Sequence, residues 1–229
     1  TILPKTFPPF PDLKSFDLYA YMSAAKYVGG DFYDFFRIGE DRLGFVIADV
    51  SGKGVPAAIF MAISRTVIRA IALTENSAAL CMQRSNSILC QESVNDMFVT
   101  VFYGILNIRT GIVTYCNAGH NPPILMKKDG SVSKVPTTND MILGAMSDAT
   151  YHEKVAPGDN LFLYTDGVTE AMNKKHELYS ERRLLDNCRE LAGKKPKEVV
   201  DKITETVGEF VVDAVQSDDI TLLSIAYKG

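Results

Sequence analysis

The sequence predicts an α+β sandwich of mainly antiparallel sheets, and three observations predict it. Short segments rich in aromatic and β-branched residues are grouped in meanders, helical segments are inserted between them in pairs, and this grouping suits antiparallel sheets better than a parallel α/β sheet. With 229 residues, 46% of them hydrophobic and 23% charged, the chain can bury enough apolar surface to fold without staples.

Pro4, Pro8, Pro9 and Pro11 make residues 1–15 an extended lead-in, because proline withholds a donor and fixes φ. The start at Thr1 without an initiator methionine is read as the sign of an upstream region, and the domain proper is expected over 16–229. Asp17–Met22, Asp31–Ile38 and Arg42–Val50 read as three strands separated by glycines. Pro56 suits a first helical turn, and Ala57–Leu73 follows as a helix whose Met61, Ile68 and Ile71 form an apolar stripe facing the core. Ser77–Glu92 is a second helix. Val99–Leu106 and Ile112–Cys116 flank Arg109-Thr110-Gly111 as a hairpin, and Pro123–Lys127 is a strand ending at the Lys128-Asp129-Gly130 turn. Ser131–Asp148 is polar and irregular and reads as a flap. Tyr151–Val155 and Asn160–Tyr164 resume the strands, Glu181–Leu191 and Pro196–Val215 are helical by period, and Ile220–Tyr227 is a closing strand.

Composition excludes several function classes. A net charge of −4, with no Lys/Arg run longer than a doublet, gives little attraction to nucleic acid or anionic membrane. No stretch approaches the roughly 20 apolar residues of a bilayer span, so a cytoplasmic protein with no membrane insertion is expected. Cys81, Cys90, Cys116 and Cys188 lack CxxC spacing and read as reduced thiols, with core packing expected for Cys90 and Cys116, neither of which precedes a Cys-x5-Arg phosphate loop. Ser51-Gly52-Lys53-Gly54 lacks the GxxxxGK[ST] spacing of a nucleotide-binding loop.

Four strand ends carry aspartates: Asp31 after Gly29-Gly30, Asp49 before Val50-Ser51-Gly52, Asp166 before Gly167, and Asp218-Asp219 before the last strand. Carboxylates are hard ligands matched to Mg²⁺ or Mn²⁺, and several converging would repel one another unless cations neutralised them. Singly each is weak evidence, since aspartates also cap and terminate elements. Their adjacent glycines allow close backbone approach, which would let a carbonyl such as that of Val50 join the donors.

The blocks Val28-Gly29-Gly30-Asp31-Phe32-Tyr33-Asp34, Ala48-Asp49-Val50-Ser51-Gly52-Lys53-Gly54, Asn117-Ala118-Gly119-His120-Asn121-Pro122, Tyr164-Thr165-Asp166-Gly167 and Ser217-Asp218-Asp219-Ile220-Thr221 resemble, in order, the signature blocks of the SpoIIE/RsbU-type bacterial branch of the metal-dependent protein phosphatases. The resemblance implies a four-layer α-β-β-α sandwich with two Mn²⁺ or Mg²⁺ ions. It implies that Asp49 bridges the ions, that Asp166 and Asp218 serve one, and that Asp31 and the Val50 carbonyl serve the other, with Asp219 the lesser member of its pair. Lys26 stands where the family usually carries a phosphate-gripping arginine, and a lysine grips as a point charge without the bidentate fork. Ser51 stands where the wider family often has a histidine acid, and His120 is better read as a turn residue.

The implied reaction is hydrolysis of phosphoserine or phosphothreonine by a hydroxide held between two dications. The implied substrate is a phosphorylated regulatory protein, an anti-sigma-factor antagonist of the STAS type. A catalytically weak, phosphatase-like binding module is the alternative. The branch also implies an upstream sensor region; because Asp49 and Val50 lie only a few residues before the helix 57–73, a shift of this helix and 77–92 is expected to carry the signal to the ligands, and a homodimer formed through these helices is one way to transmit it.

Overall fold

The computed structural model describes residues 3–7, 9–92, 97–136, 141–143, 151–154, 159–212 and 214–229. In chain order the elements are β1 (Phe16–Ser23), β2 (Phe32–Ile38), β3 (Arg42–Val50), α1 (Val55–Ala72), α2 (Ala78–Glu92), β4 (Val99–Asn107), β5 (Ile112–Ala118), β6 (Ile124–Met126), β7 (Val132–Lys134), β8 (Tyr151–Lys154), β9 (Asn160–Tyr164), α3 (Asp166–Thr169), α4 (Ser180–Glu190), α5 (Pro196–Val211) and β10 (Ile220–Tyr227). They divide into two units. Unit 1 comprises Thr1–Lys5, Lys26–His120 and Pro136–Lys154, and unit 2 comprises Thr6–Ala25, Asn121–Val135 and Val155–Gly229. The class is α+β, as the strand grouping predicts.

Unit 1 is a five-stranded sheet in the order β2-β3-β4-β5-β8, antiparallel throughout. The side chains of Phe32, Phe36, Val46, Ala48, Val101 and Tyr103 alternate onto the face that α1 and α2 cover with Phe60, Ile68, Ala72, Met82 and Leu89. Met61 and Ile68 are buried and Ile71 packs at the edge of the same cluster, so the predicted stripe is core. Each such Ile or Leu stabilises the fold by about 1.5–3 kcal/mol relative to exposure. The alternate face carries Phe45, Phe102 and Tyr115, also buried, with stacked rings 6.3 and 5.1 Å apart. Burial on both faces explains why these strands read as nearly continuous apolar runs. The lead-in joins this unit at Leu3, which packs against the cluster, and at Pro4, whose carbonyl accepts the Tyr33 hydroxyl at 2.7 Å.

Among the described residues α1 alone, with 18 residues and a mean hydropathy of 1.6, is long and apolar enough to cross a membrane. That corrects the expectation that no stretch comes near such a length. One face of it packs on the sheet through Phe60, Ile68 and Ala72, and Arg65 and Arg69 pair there with buried Asp34.

Unit 2 is a second antiparallel five-stranded sheet, in the order β1-β10-β9-β6-β7. Its core joins Phe162, Tyr164, Leu222 and Met126 to Val168 of α3, Leu184 and Cys188 of α4, and Val199, Val200, Ile203 and Val207 of α5.

Three further expectations are corrected. Part of the predicted flap is structured. Val132–Lys134 pairs with Ile124–Met126 across the Lys128–Gly130 turn, and Leu143, 3% exposed, bonds to Val99 through its backbone N–H at 3.1 Å. The remainder of that stretch, 137–140 and 144–148, lies outside the described residues. The last helix stops at Val211 rather than Val215, because Val212 turns to φ 30° and the Gln216 side chain holds the following loop to Ser23. Cys90 is exposed on α2, whereas Cys116 is buried as expected.

Candidate metal centre

In unit 1 the strand register does the placing. β2 and β3 pair with Phe32 opposite Ala48, so one step further along Asp31 stands across from Asp49. Asp31 is 2% exposed and Asp49 half-buried. Gly30 tightens this end of the hairpin. A Cβ there would lie 3.1 Å from the Val50 carbonyl oxygen and 3.4 Å from the Ala57 Cβ, so only a glycine lets the backbone before Asp31 close on Val50 without displacing it. Two carboxylates and one carbonyl therefore share one end of the β2–β3 pair.

Around them the hydrogen bonds are structural. Ser51 N–H donates to the Phe98 carbonyl at 2.9 Å, and its Oγ accepts the Phe98 N–H at 3.0 Å, which occupies the serine as a strap between β3 and β4. Thr100 Oγ1 lies 2.8 Å from His120 Nδ1. His120 is buried in a turn, its N–H donating to Asn117 Oδ1 at 2.7 Å while Asn117 Nδ2 donates to the His120 carbonyl at 3.0 Å. That is the turn role the sequence suggests. Lys26 is exposed on the segment leading to Asp31.

In unit 2 the β9–β10 pairing continues past Tyr164. Thr165 N–H donates to the Thr221 carbonyl at 3.1 Å, and Thr221 N–H donates to Thr165 Oγ1 at 3.0 Å. Asp166 then leaves as the first residue of α3 beside the 218–219 turn. A Cβ on Gly167 would fall 2.0 Å from the Asp219 carbonyl oxygen, so this is direct backbone contact. Asp218 and Asp219 differ in surroundings. Asp219 is 8% exposed and its carboxylate accepts the Ala25 N–H at 2.8 Å, tying the start of β10 to the chain after β1. Asp218 is half-buried, its Oδ1 accepting the Asp219 N–H at 2.9 Å and its carbonyl accepting Gln216 Nε2 at 2.7 Å.

Of the six candidate ligands, then, Asp31, Asp49 and Val50 are brought together in unit 1, and Asp166, Asp218 and Asp219 in unit 2. Among the described residues neither unit by itself gathers three His, Cys, Asp or Glu side chains into an ion-holding group. The donors are all oxygens, and Gly30 leaves the Val50 carbonyl room at the carboxylate pair, so the set fits a hard divalent cation by chemistry.

A buried pairing beside the site was not foreseen from the sequence. Asp34, in the block that carries Asp31, is 1% exposed and accepts Arg65 Nη2 at 3.0 Å and Arg69 Nη1 at 2.9 and 3.0 Å. It faces α1 because it lies three residues after Asp31 on the helix-covered side of β2, and the two arginines one helical turn apart were the available signal. The buried thiols are poor nucleophiles. Burial pushes Cys81 and Cys188 up to about 12.

Two antiparallel sheets with their helices and oxygen donors at strand ends define a domain of the PP2C phosphatase class by fold. The catalytic domain of the serine/threonine protein phosphatase PstP, in complex with two manganese ions, matches over 93% of this chain and 99% of its own with a TM-score of 0.68, at 12% identity. The chain belongs to the Stage II sporulation protein E (SpoIIE) family, whose model matches residues 39–228. Protein IcfG of Synechocystis sp. is 30% identical over 245 residues, covering 94% of this chain and 38% of that protein. The phosphoserine phosphatase RsbU of Bacillus subtilis is 29% identical over 163 residues, covering 70% of this chain and 48% of RsbU. Among solved structures, the RsbU and RsbW domains of Rv1364c from Mycobacterium tuberculosis match with a TM-score of 0.81 at 27% identity, over 93% of this chain and 60% of that one. The chain thus spans less than half the length of these curated relatives.

Proposed function

We propose that the chain is the catalytic domain of a protein serine/threonine phosphatase, with residues 1–15 a lead-in from an upstream region and 16–229 the domain, acting in the cytoplasm on phosphoserine or phosphothreonine of a regulatory protein. The observation that carries this reading is the arrangement of oxygen donors: Asp31 and Asp49 across from each other with the Val50 carbonyl closed on by Gly30, and Gly167, next to Asp166, packed on the Asp218–Asp219 backbone. Asp49 would bridge two Mn²⁺ or Mg²⁺ ions, Asp31 and Val50 would complete one, and Asp166 and Asp218 the other. Asp219 is assigned the structural part, because its carboxylate caps Ala25. When bound, such ions activate water and neutralise charge developing on the phosphoryl oxygens.

The chain's own residues supply the rest. The glycine contacts fix the donors before any ion arrives, which avoids reorganisation during the reaction. Lys26, exposed ahead of Asp31, would hold the substrate phosphate as a point charge. Serine is a poor general acid, and Ser51 Oγ accepts the Phe98 N–H, so a metal-bound water or the substrate environment would supply the proton to the leaving alkoxide. RsbU being a phosphoserine phosphatase, and PstP holding two manganese ions, favour the same chemistry here. By the same likeness the substrate would be a STAS-type anti-sigma-factor antagonist. The proposed partners are an upstream sensor region and a second copy of the chain, for which exposed Val55 and Ile59 on α1 offer an apolar face.

The test is Mn²⁺-dependent phosphate release from a phosphoserine STAS protein, alongside Asp49→Asn and Asp166→Asn. The wild type should turn over and both variants should fall to background while remaining folded. Binding of the phosphoprotein without turnover would favour the alternative of a weak phosphatase-like module, and near-wild-type rates in either variant at saturating Mn²⁺ would refute the ligand assignment.

A further inference from the structure

Unit 2 contains a cavity of about 250 Å³ between α5 and the β1–β10 pair, which the proposed hydrolysis does not use. Tyr21, Val207, Val211 and Leu222 make its wall apolar, and Gly167 and Asp218 close the end nearest the candidate ligands. We propose that this cavity takes an apolar side chain of the phosphoprotein substrate, flanking the phosphorylated residue, and so selects which phosphoprotein the domain accepts. The proposal rests on the phosphatase reading above and deepens it.

Position argues for a substrate side chain over an unrelated ligand. Gly167 follows Asp166 directly, and Asp218 is itself a proposed ligand, so a group seated in the cavity lies beside the residues that would hold the phosphoryl end of the same molecule. Size argues the same way. Pockets for small molecules and cofactors run from roughly 300 to 1,000 Å³, and this one falls below that range. Its polar border is already engaged, since Gln216 Nε2 donates to the Ser23 and Asp218 carbonyls at 2.8 and 2.7 Å and Ser23 Oγ donates to Gln216 Oε1 at 3.2 Å. An apolar group is what the wall can recognise.

Two residues mark the mouth. Val215 lines the cavity yet is 90% exposed, an apolar side chain that an occupant would cover. Gly208 lies inside α5, where glycine weakens a helix relative to alanine, and a Cβ there would meet nothing within 4 Å. Packing gives no reason for the glycine. Keeping the mouth open does.

The experiment uses the Mn²⁺-loaded domain with synthetic phosphoserine peptides carrying alanine or leucine at each of three positions on either side, and p-nitrophenyl phosphate as a substrate without flanks. The wild type should prefer leucine at one flanking position by about tenfold in kcat/KM. Gly208→Leu, which fills the space, and Val215→Asp, which charges the rim, should each abolish that preference while leaving p-nitrophenyl phosphate turnover and calorimetric Mn²⁺ binding unchanged. Fluorescence anisotropy of labelled peptides reads the same selectivity without turnover. A wild type inert toward every substrate but selective in anisotropy would fault the phosphatase reading and keep the cavity assignment. Equal treatment of alanine and leucine peptides by the wild type, or an undiminished preference in both variants, would overturn the cavity assignment.

Discussion

Asp34→Asn tests whether the block that carries Asp31 is anchored to α1 by a buried ion pair. The asparagine keeps the shape, and its Oδ1 can still accept the Phe35 N–H, which donates to Asp34 Oδ1 at 2.9 Å. What it removes is the charge facing two guanidiniums. Removing one partner of a buried pair costs about 3–5 kcal/mol, mostly because the other charge is left uncompensated. The two arginines do not share that figure equally. Arg65 is 15% exposed and falls under it, whereas Arg69 is 39% exposed, so solvent screening reduces its part to the ~0.2–1 kcal/mol of a surface pair. The expected loss for Asp34→Asn is therefore near the lower end, about 3 kcal/mol. Arg69→Met should lose under about 1 kcal/mol, part of it from its cation–π contact over Phe36 at 5.1 Å. Urea unfolding followed by far-UV circular dichroism reads both, with the midpoint shifting and the slope unchanged. A loss below about 1 kcal/mol for Asp34→Asn, or a gain, would mean that the arginines are solvated in the absence of the carboxylate, and the buried-anchor argument would fail.

Further outcomes follow from the same contacts. Chelation with EDTA should stop catalysis and leave cooperative thermal unfolding in place, because both cores are built without the ions; loss of the cooperative transition would recast the metals as structural. Gly167→Ala should cost about 1–3 kcal/mol and disturb Asp166 and Asp218 together, since its Cβ would fall 2.0 Å from the Asp219 carbonyl oxygen; an unchanged Tm with unchanged Mn²⁺ affinity would refute that contact. Alkali should destabilise the fold between pH 9 and 12. Cys81 and Cys188 are raised from 9.0 to about 12 by burial, so the unfolded chain ionises first: stability is full below pH 9 and is lost as pH climbs toward the folded value, at up to ~1.4 kcal/mol per unit for each thiol. Cys188→Ala should flatten the pH slope of Tm, and an identical slope in that variant would contradict the burial argument.

How far the sequence discloses this architecture depends on the range of the contact concerned. Ile220–Tyr227 is found with the ends predicted for it, because a strand buried along its length writes an unbroken apolar run. Val132–Lys134 is a strand of three residues, two of them polar and exposed, and its pairing with β6 leaves no periodicity to read. The helix α5 ends before the position the sequence predicts, for the opposite reason. Val211, Val212 and Val215 continue an apolar pattern, and what stops the helix there includes a glutamine bonded to Ser23, 193 residues away. The aspartates follow the same rule. Their place at strand ends is a local property and is legible, but the tie of the Asp219 carboxylate to the Ala25 N–H spans 194 residues and the pairing of Asp34 with Arg69 spans 35. Glycines beside aspartates are ambiguous in a sequence, since a turn and a backbone-on-backbone contact demand the same residue. Gly52 and Gly54 meet the first demand, with φ of 86° and 84° and open space at the Cβ position. Gly30 and Gly167 meet the second, at 3.1 and 2.0 Å from a carbonyl oxygen. Substitution should separate the two kinds: alanine at Gly52 strains only its own backbone, whereas alanine at Gly30 or Gly167 must move a neighbour that the proposed chemistry requires in place.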